Sequence, residues 1–119
     1  MILGMPETKL ADRHSCPLPK GAAGLNKKQI SALLQQVRGW KIEKGELVRE
    51  LKFKNYFQTM PAVVAIAMLA QSEDHHPDLH VGYNKLQIRY STHSVGGLSE
   101  NDFICAAKIN QLLPKASKE

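Results

Sequence analysis

The 119-residue chain is long enough for one domain with one hydrophobic core and too short to divide comfortably into two. Hydrophobic residues make up 43% and charged residues 23% of the sequence, which excludes the composition of a disordered chain. The net charge of +5 is spread without a basic block and aromatic residues make up only 6%, so the sequence gives little support for direct nucleic-acid binding.

The first 24 residues predict a flexible N-terminal arm that is separate from the core, because proline and glycine recur without a periodic apolar pattern. This arm lacks the apolar stretch of a secretory signal, and no later apolar run is long enough to span a bilayer. We therefore expect a cytoplasmic protein with no membrane contact. His14 and Cys16 are too few ligands for a metal site, and Cys16 and Cys105 lie too far apart to indicate a disulfide framework.

The single predicted domain comprises residues 25–119 and opens with an amphipathic helix. Asn26 is a good N-cap, and Gln29 stands at the position that completes a capping box. Gly39 stands just past the predicted end. Apolar residues follow at helical spacing: Ile30, Leu33, Leu34 and Val37.

A β-hairpin is predicted next, because the apolar period changes to two at Trp40 and Ile42. Lys44 and Gly45 form the turn. Arg49 interrupts the apolar face of the returning strand, and the pattern offers no explanation for it. The apolar residues of that face are Leu47, Leu51 and Phe53.

A second helix is predicted to begin at Asn55, and its residues 62–70 have almost no polar face. Such a helix needs cover on more than one side. Either the sheet and a second subunit provide it, or the sheet and the other helices do. Pro61 predicts a kink, or else a restart of the helix with Thr59 as its true cap.

A second hairpin and a third helix complete the pattern. Strands are predicted at 81–83 and 86–92, and Ser99 is predicted to cap a helix from Glu100 to about Leu113. The order of elements predicts an α+β domain with a four-stranded antiparallel sheet and three helices packed on one face. In the second hairpin the residues expected to face the core are Leu86, Ile88, Tyr90 and Thr92, and those expected to face water or a ligand are Gln87, Arg89 and Ser91.

The stretch "SEDHHPDLHVGY", residues 72–83, contains three of the five histidines of the chain. Pro77 restricts His76 to an extended conformation, so the second helix is expected to end near His75. In an extended chain the two adjacent rings point in different directions and can contact different parts of one ligand. His93, at the end of the second hairpin, could close the same pocket.

Three interpretations of these histidines remain open on the residues alone. Histidines at a helix end commonly cap carbonyl groups and stabilise the helix dipole. A metal site would use His75, His76, His80 and His93, although adjacent ligands are sterically awkward and no cysteine is close. A metal-free acid-base site is the third interpretation, because histidine gains and loses protons near neutral pH.

The combination of "HHP", Tyr83, "YNK", "STH" and "GLSENDF" in this order resembles the pterin-4a-carbinolamine dehydratase family, some members of which are dimerisation cofactors of a transcription factor. Gly39-Trp40 and "FKNYF" extend the resemblance to about residues 25–113. The chain departs from the family pattern at Gln71, where an acidic residue is usual, and at Asn101, where a basic residue is frequent.

The resemblance implies a hydro-lyase that removes water from a 4a-hydroxytetrahydropterin to give quinonoid dihydropterin in tetrahydrobiopterin recycling. It implies that His75 and His93 are the acid-base groups and that His76 binds the pterin and assists proton transfer. Pro77 would shape the loop, and Asp102 would orient a histidine or the substrate. Asp102 also falls three residues after Ser99, where a carboxylate is favoured as part of a helix cap in any protein.

The same resemblance implies that no metal or organic cofactor is needed and that the protein forms a homodimer or homotetramer. The alternative function is a non-catalytic dimerisation, coactivator or assembly-factor protein on the same fold. A second role with a protein partner is compatible with either. The three titratable rings favour the enzyme, because a purely binding protein would not need them to converge.

Overall fold

The computed structural model describes residues 9–113 and contains three α-helices and one four-stranded antiparallel sheet. The predicted α+β class is therefore confirmed. The strands lie in the order β1-β2-β4-β3. Two short 3-10 turns, Leu10–Asp12 and His93–Val95, accompany the main elements. Those elements are α1 (Lys27–Leu34), β1 (Lys41–Glu43), β2 (Glu46–Lys52), α2 (Tyr56–Glu73), β3 (Asp78–Val81), β4 (Lys85–Tyr90) and α3 (Glu100–Leu112).

The core lies between the apolar face of the sheet and the helices. Strands β2 and β4 are neighbours at its centre, with Leu47 opposite Tyr90 and Leu51 opposite Leu86. The alternation predicted for β4 is confirmed, because Leu86, Ile88 and Tyr90 are fully buried while residues on its other face are not. Helix α3 supplies much of the opposing layer, with these core residues: Phe103, Ile104, Cys105, Ala106, Ala107 and Ile109.

Local signals in the sequence set several element boundaries. Asn26 and Gln29 form the predicted capping box, in which each side chain accepts a hydrogen bond from the other residue's backbone N–H at 2.8 Å. Lys44 and Gly45 both have positive φ, 53° and 78°, as a two-residue hairpin turn requires. Helix α1 ends at Leu34, so Val37 is buried in the turn that follows and not in the helix.

Helix α2 begins once and runs through its proline. The Asn55 side chain accepts a hydrogen bond from the Gln58 N–H at 3.0 Å, which makes Asn55 the cap. The predicted alternative of a restart at Thr59 is wrong, because Thr59 is helical and buried, and its hydroxyl lies 2.9 Å from the Tyr83 carbonyl oxygen. Pro61 lies within the helix, which continues to Glu73.

One face of α2 is uncovered by the rest of the described chain, residues 9–113. Phe57 is 88% exposed, Met68 69% and Val64 56%. The alternative that the sheet and the other helices of the same chain cover the whole of α2 is therefore wrong for this face.

The second hairpin starts earlier than predicted. Strand β3 runs over Asp78–Val81, whereas the prediction placed the strand at 81–83. The extended conformation that follows Pro77 is continued directly as a strand, and its Asp78 pairs with Arg89 of β4. Arg89 donates to Glu46 at 2.9 Å and also to Glu43, so it lies in a charge network on the outer face of the sheet.

Arg49, which the sequence pattern left unexplained, faces the core layer and is buried. Its guanidinium donates a hydrogen bond to Oδ1 of Asn110 in α3, and the Trp40 indole N–H donates to the same oxygen at 2.9 Å. Buried polar groups need such partners. The arginine is therefore part of the contact between β2 and α3.

Part of the N-terminal segment contacts the domain, so the prediction of an arm separate from the core does not hold for residues 10–16. Leu10 is only 5% exposed and belongs to the core cluster, where burial of a leucine stabilises the fold by roughly 1.5–3 kcal/mol. The Lys108 ammonium donates to the Ala11 carbonyl at 2.9 Å. The prediction for residues 1–8, like the end of the predicted domain at 114–119, lies outside the described residues. Between residues 9 and 113, no helix combines the length and apolarity needed to cross a bilayer.

Candidate active site

The chain reverses its direction at the end of α2 and brings His75 toward α3. Asp74 closes the helix in the left-handed conformation, with φ 52° and ψ 42°. The His75 N–H then donates to the Ala70 carbonyl at 3.1 Å, which satisfies one of the last carbonyls of the helix. The helix thus ends close to the predicted position, and His75 leaves it as a half-buried side chain.

His75 and Asp102 form the closest polar contact of the site. His75 Nε2 lies 2.6 Å from Asp102 Oδ1, and the carboxylate is fully buried. An ionised carboxylate can only accept hydrogen bonds, so with Asp102 ionised the hydrogen lies on Nε2. A neutral ring then has Nδ1 as its acceptor, which is the arrangement of a general base held by a carboxylate.

Asp102 also performs the structural role that its position predicted. Its Oδ2 accepts hydrogen bonds from the Ser99 N–H at 2.9 Å and from the Thr92 hydroxyl at 2.8 Å. The two oxygens are therefore divided between the cap of α3 and the ring of His75. The cap is therefore observed, and the contact with His75 is compatible with the predicted orientation of a histidine.

Tyr90 fixes the other side of the histidine. The two rings stack with centroids 5.1 Å apart and planes 20° apart. Burial raises the pKa of the Tyr90 hydroxyl, so this group stays protonated at neutral pH. It donates to the His75 carbonyl at 3.1 Å. The backbone and ring of His75 are thus both held by β4.

A cavity of about 230 Å³ lies beside His75 and is named the His75 cavity here. Its volume is just below the range of roughly 300–1,000 Å³ for typical ligand pockets, which suits a small ligand. One side is formed by residues 15–18 of the N-terminal segment. The remaining lining residues come from three other places in the chain: Glu73, Asp74 and His75; Thr92 and Ser94; and Asn101.

The other predicted site residues do not line this cavity. His76 is exposed, and its Nε2 is 3.1 Å from Oε1 of Gln71, the residue at the first departure from the family pattern. His93 is exposed at the start of its 3-10 turn, between Thr92 and Ser94. Pro77 is half-buried and leads into β3. Of the predicted residues, the structure brings His75 and Asp102 into contact.

Glu73 and Asn101 line the cavity, and the sequence pattern indicated no role at the site for either residue. Burial raises the pKa of Glu73, but hydrogen bonds from Ser15 and His14 and the charge of Lys108 outweigh it and hold the pKa below its ordinary value of 4.5. The only sequence signal at Asn101 was its departure from the family pattern. Across residues 9–113, no group of three or more His, Cys, Asp or Glu side chains is arranged to hold a metal ion.

Comparison with known proteins identifies the family. Residues 23–112 match the model of the family described as pterin 4 alpha carbinolamine dehydratase. The chain belongs to this family. A pterin-4-alpha-carbinolamine dehydratase, provisionally so named, from Nitrosomonas eutropha is 50% identical over 105 residues, covering 87% of this chain and 93% of that protein. A provisionally named dehydratase from Stenotrophomonas maltophilia is 49% identical over 105 residues, covering 87% and 90%.

Two solved structures are similar to this chain. A transcriptional coactivator/pterin dehydratase from Brucella melitensis has a TM-score of 0.71 and 27% identity, covering 75% of this chain and 97% of that one. A pterin dehydratase-like protein described as a RuBisCO assembly factor in the alpha-carboxysome has a TM-score of 0.54 and 24% identity, covering 63% and 89%. The second similarity shows the fold alone.

Proposed function

We propose that this member of the pterin-4a-carbinolamine dehydratase family is a 4a-hydroxytetrahydrobiopterin dehydratase. The observation that carries the proposal is the His75–Asp102 pair, 2.6 Å apart, at the edge of a small cavity. A buried carboxylate that holds one ring nitrogen leaves the other nitrogen available for proton transfer. The family membership of residues 23–112 supports a pterin as the substrate.

The reaction is loss of water from the 4a-carbinolamine, and it needs no electron acceptor. Electrons of the ring nitrogen expel the 4a-hydroxyl, which takes up a proton and leaves as water. The ring nitrogen loses a proton, and quinonoid dihydropterin is formed. Atoms and charge balance with one proton delivered and one removed. General acid-base catalysis by positioned side chains contributes typically about 10²–10⁴-fold, which suits this chemistry.

His75 and His93 are the proposed acid-base groups, and His76 is proposed to bind the pterin and assist proton transfer. Support for His75 is its fixed ring and its place on the cavity wall. Support for His93 is its position between two cavity residues, Thr92 and Ser94. Pro77 is proposed to shape the loop that carries His76. Asp102 is the proposed orienting residue for His75.

A homodimer or homotetramer is proposed as the assembly. The support is the exposed apolar face of α2, where Phe57, Val64 and Met68 project from one described chain. Contiguous exposed apolar surface commonly marks a protein interface. A cytoplasmic location and the lack of nucleic-acid or membrane partners stay predictions.

The alternative is a non-catalytic coactivator or assembly protein, and the same fold in a protein described as an assembly factor keeps this candidate open. A coupled assay of 4a-hydroxytetrahydropterin dehydration with wild type, His75→Ala and His93→Ala separates the two. We expect each variant to lose on the order of 10-fold or more in rate. His80→Ala is the matched control, because His80 lies on β3 outside the His75 cavity.

Equal rates for wild type, His75→Ala and His93→Ala would reject the proposed roles of these residues. If the wild type does not accelerate dehydration at all, the binding protein becomes the better assignment.

A further inference from the structure

Two buried side chains near the candidate site, Glu73 and Asn101, bind the N-terminal segment, and the proposed reaction uses neither of them. The first is Glu73, at the end of α2. Its Oε1 accepts the Ser15 backbone N–H at 2.7 Å, and its Oε2 lies 2.9 Å from His14 Nδ1. Lys108 adds a link, with its ammonium 3.7 Å from Glu73 and bonded to the Ala11 carbonyl.

The second of these side chains is Asn101, in the first turn of α3. Its Oδ1 accepts the Cys16 N–H at 3.2 Å, and its Nδ2 donates to the Cys16 carbonyl at 2.8 Å. An amide side chain can bind both polar groups of one residue in this way because it carries a donor and an acceptor together, whereas lysine and arginine only donate. Asn101, which departs from the family pattern, therefore binds the backbone of Cys16 in this chain.

The side chains of Glu73 and Asn101 are both buried, whereas their partners His14 and Cys16 are exposed. Glu73 is 8% exposed and Asn101 7%. A buried carboxylate or amide without partners is costly, and residues of the N-terminal segment supply the hydrogen bonds that satisfy these two. The segment and the two side chains thus depend on each other.

We propose that residues 15–18 form one wall of the pterin-binding pocket and that Glu73 and Asn101 are the positioning residues that hold this wall opposite His75. The inference rests on the proposed function for the identity of the ligand. Its basis is that residues 15–18 and His75 line the same cavity, and that Glu73 and Asn101, which bind Ser15 and Cys16, line it as well. The match to the family model begins only at residue 23, so this wall lies outside it.

The wall offers mixed chemistry that suits a flat heterocycle with polar edges. Ser15 brings a hydroxyl, whereas Pro17 and Leu18 bring apolar surface. Ligand pockets typically combine apolar lining with a few placed polar groups. A wall of this kind contributes to binding in the ground state and in the transition state alike, so its displacement raises KM and leaves kcat nearly unchanged.

The test is steady-state kinetics of dehydration with Asn101→Ala. Removing the two hydrogen bonds to Cys16 is expected to raise KM about 5- to 20-fold while kcat stays within about twofold. Glu100→Gln is the matched control, because Glu100 is the neighbouring residue in α3 and contacts the same segment through an ion pair with Arg13 that is exposed and not buried. Its KM is expected to stay within about twofold of wild type. Deletion of the whole segment is less informative, because it also removes the buried Leu10.

A second measurement does not depend on turnover. Cys16 is exposed and lines the cavity, whereas Cys105 is buried, so a thiol reagent reports on the wall. Saturating 7,8-dihydrobiopterin is expected to slow modification of Cys16 at least about fivefold in the wild type. Asn101→Ala is expected to need a correspondingly higher pterin concentration for the same protection.

Different results would reject the proposed dehydratase and the proposed wall. Protection of Cys16 in a protein that does not catalyse dehydration would support the wall and reject the dehydratase. Normal turnover with an unprotected Cys16 and a wild-type KM in Asn101→Ala would reject the wall and leave the dehydratase in place. A fall in kcat with unchanged KM would also overturn the wall, because it would assign Asn101 to the chemical step.

Discussion

The buried carboxylate of Asp102 contacts His75 through one oxygen, at 2.6 Å, and caps α3 through the other. We predict that Asp102→Asn lowers kcat on the order of 10-fold or more, because an amide no longer favours the tautomer with hydrogen on Nε2. The side chains of aspartate and asparagine have nearly the same volume, so the variant is expected to fold. Steady-state kinetics together with thermal unfolding checks both expectations.

Glu50→Gln is the control for this substitution, since it neutralises an exposed carboxylate on β2. Its activity should match wild type. A kcat of Asp102→Asn within about twofold of wild type would show that the contact with His75 serves only the fold.

Short-range features of this fold could be predicted because their partners are close in sequence. The Asn26–Gln29 box, the Lys44-Gly45 turn and the Asp102 cap each join residues within three positions of one another. Hydrophobic alternation likewise indicated the buried face of β4. In each case local geometry leaves few alternatives for those residue types.

Long-range contacts were not predictable in the same way. Ser15 and Glu73 are 58 residues apart and Cys16 and Asn101 are 85 apart, and a proline-rich segment carries no pattern that indicates such partners. Arg49 was unexplained for the same reason, because its partner Asn110 lies in another element. Sequence resemblance suggested that Asp102 orients a histidine or the substrate, but the sequence alone did not indicate that Asp102 contacts His75.

The two cysteines are predicted to differ sharply in reactivity. Burial raises the pKa of the Cys105 thiol to about 11, so little thiolate is present at pH 8. Burial also keeps thiol reagents away from the sulfur. Cys16 is exposed. Titration with a thiol reagent should modify one group per native chain and two in denaturant. Cys16→Ser should reduce the native count to none, and rapid loss of both thiols in native protein would contradict the packing around Cys105.

Glu73 is predicted to make stability depend on pH. Its pKa is lowered in the folded protein, so its contribution is complete above the ordinary value of 4.5 and is lost as pH falls through the lower folded pKa. Glu73→Gln should therefore reduce the free energy of unfolding by about 1–2 kcal/mol at pH 7, through weaker hydrogen bonding to Ser15 and His14. The difference from wild type should shrink at acidic pH.

Urea unfolding of the two proteins at pH 7 and below pH 4 measures this difference directly. Comparison of the variant with wild type isolates Glu73 from other groups that titrate in the same range. A difference that stays constant or grows toward acidic pH has the wrong sign for a depressed carboxyl pKa and would contradict the role of His14, Ser15 and Lys108 as its partners.

The exposed face of α2 is predicted to hold copies of the chain together. Phe57, Val64 and Met68 are spaced along one side of the helix, and each is more than half exposed in the single chain. Burial of such side chains is the main driving force for association, so a charge placed among them should oppose it.

Sedimentation of wild type at micromolar concentration should show an oligomer, and Met68→Glu should shift the protein toward monomer. Ser31→Glu, on the exposed surface of α1, should leave the assembly intact. A compact wild-type monomer under these conditions would remove the proposed interface, because its apolar side chains would then remain in water without a partner.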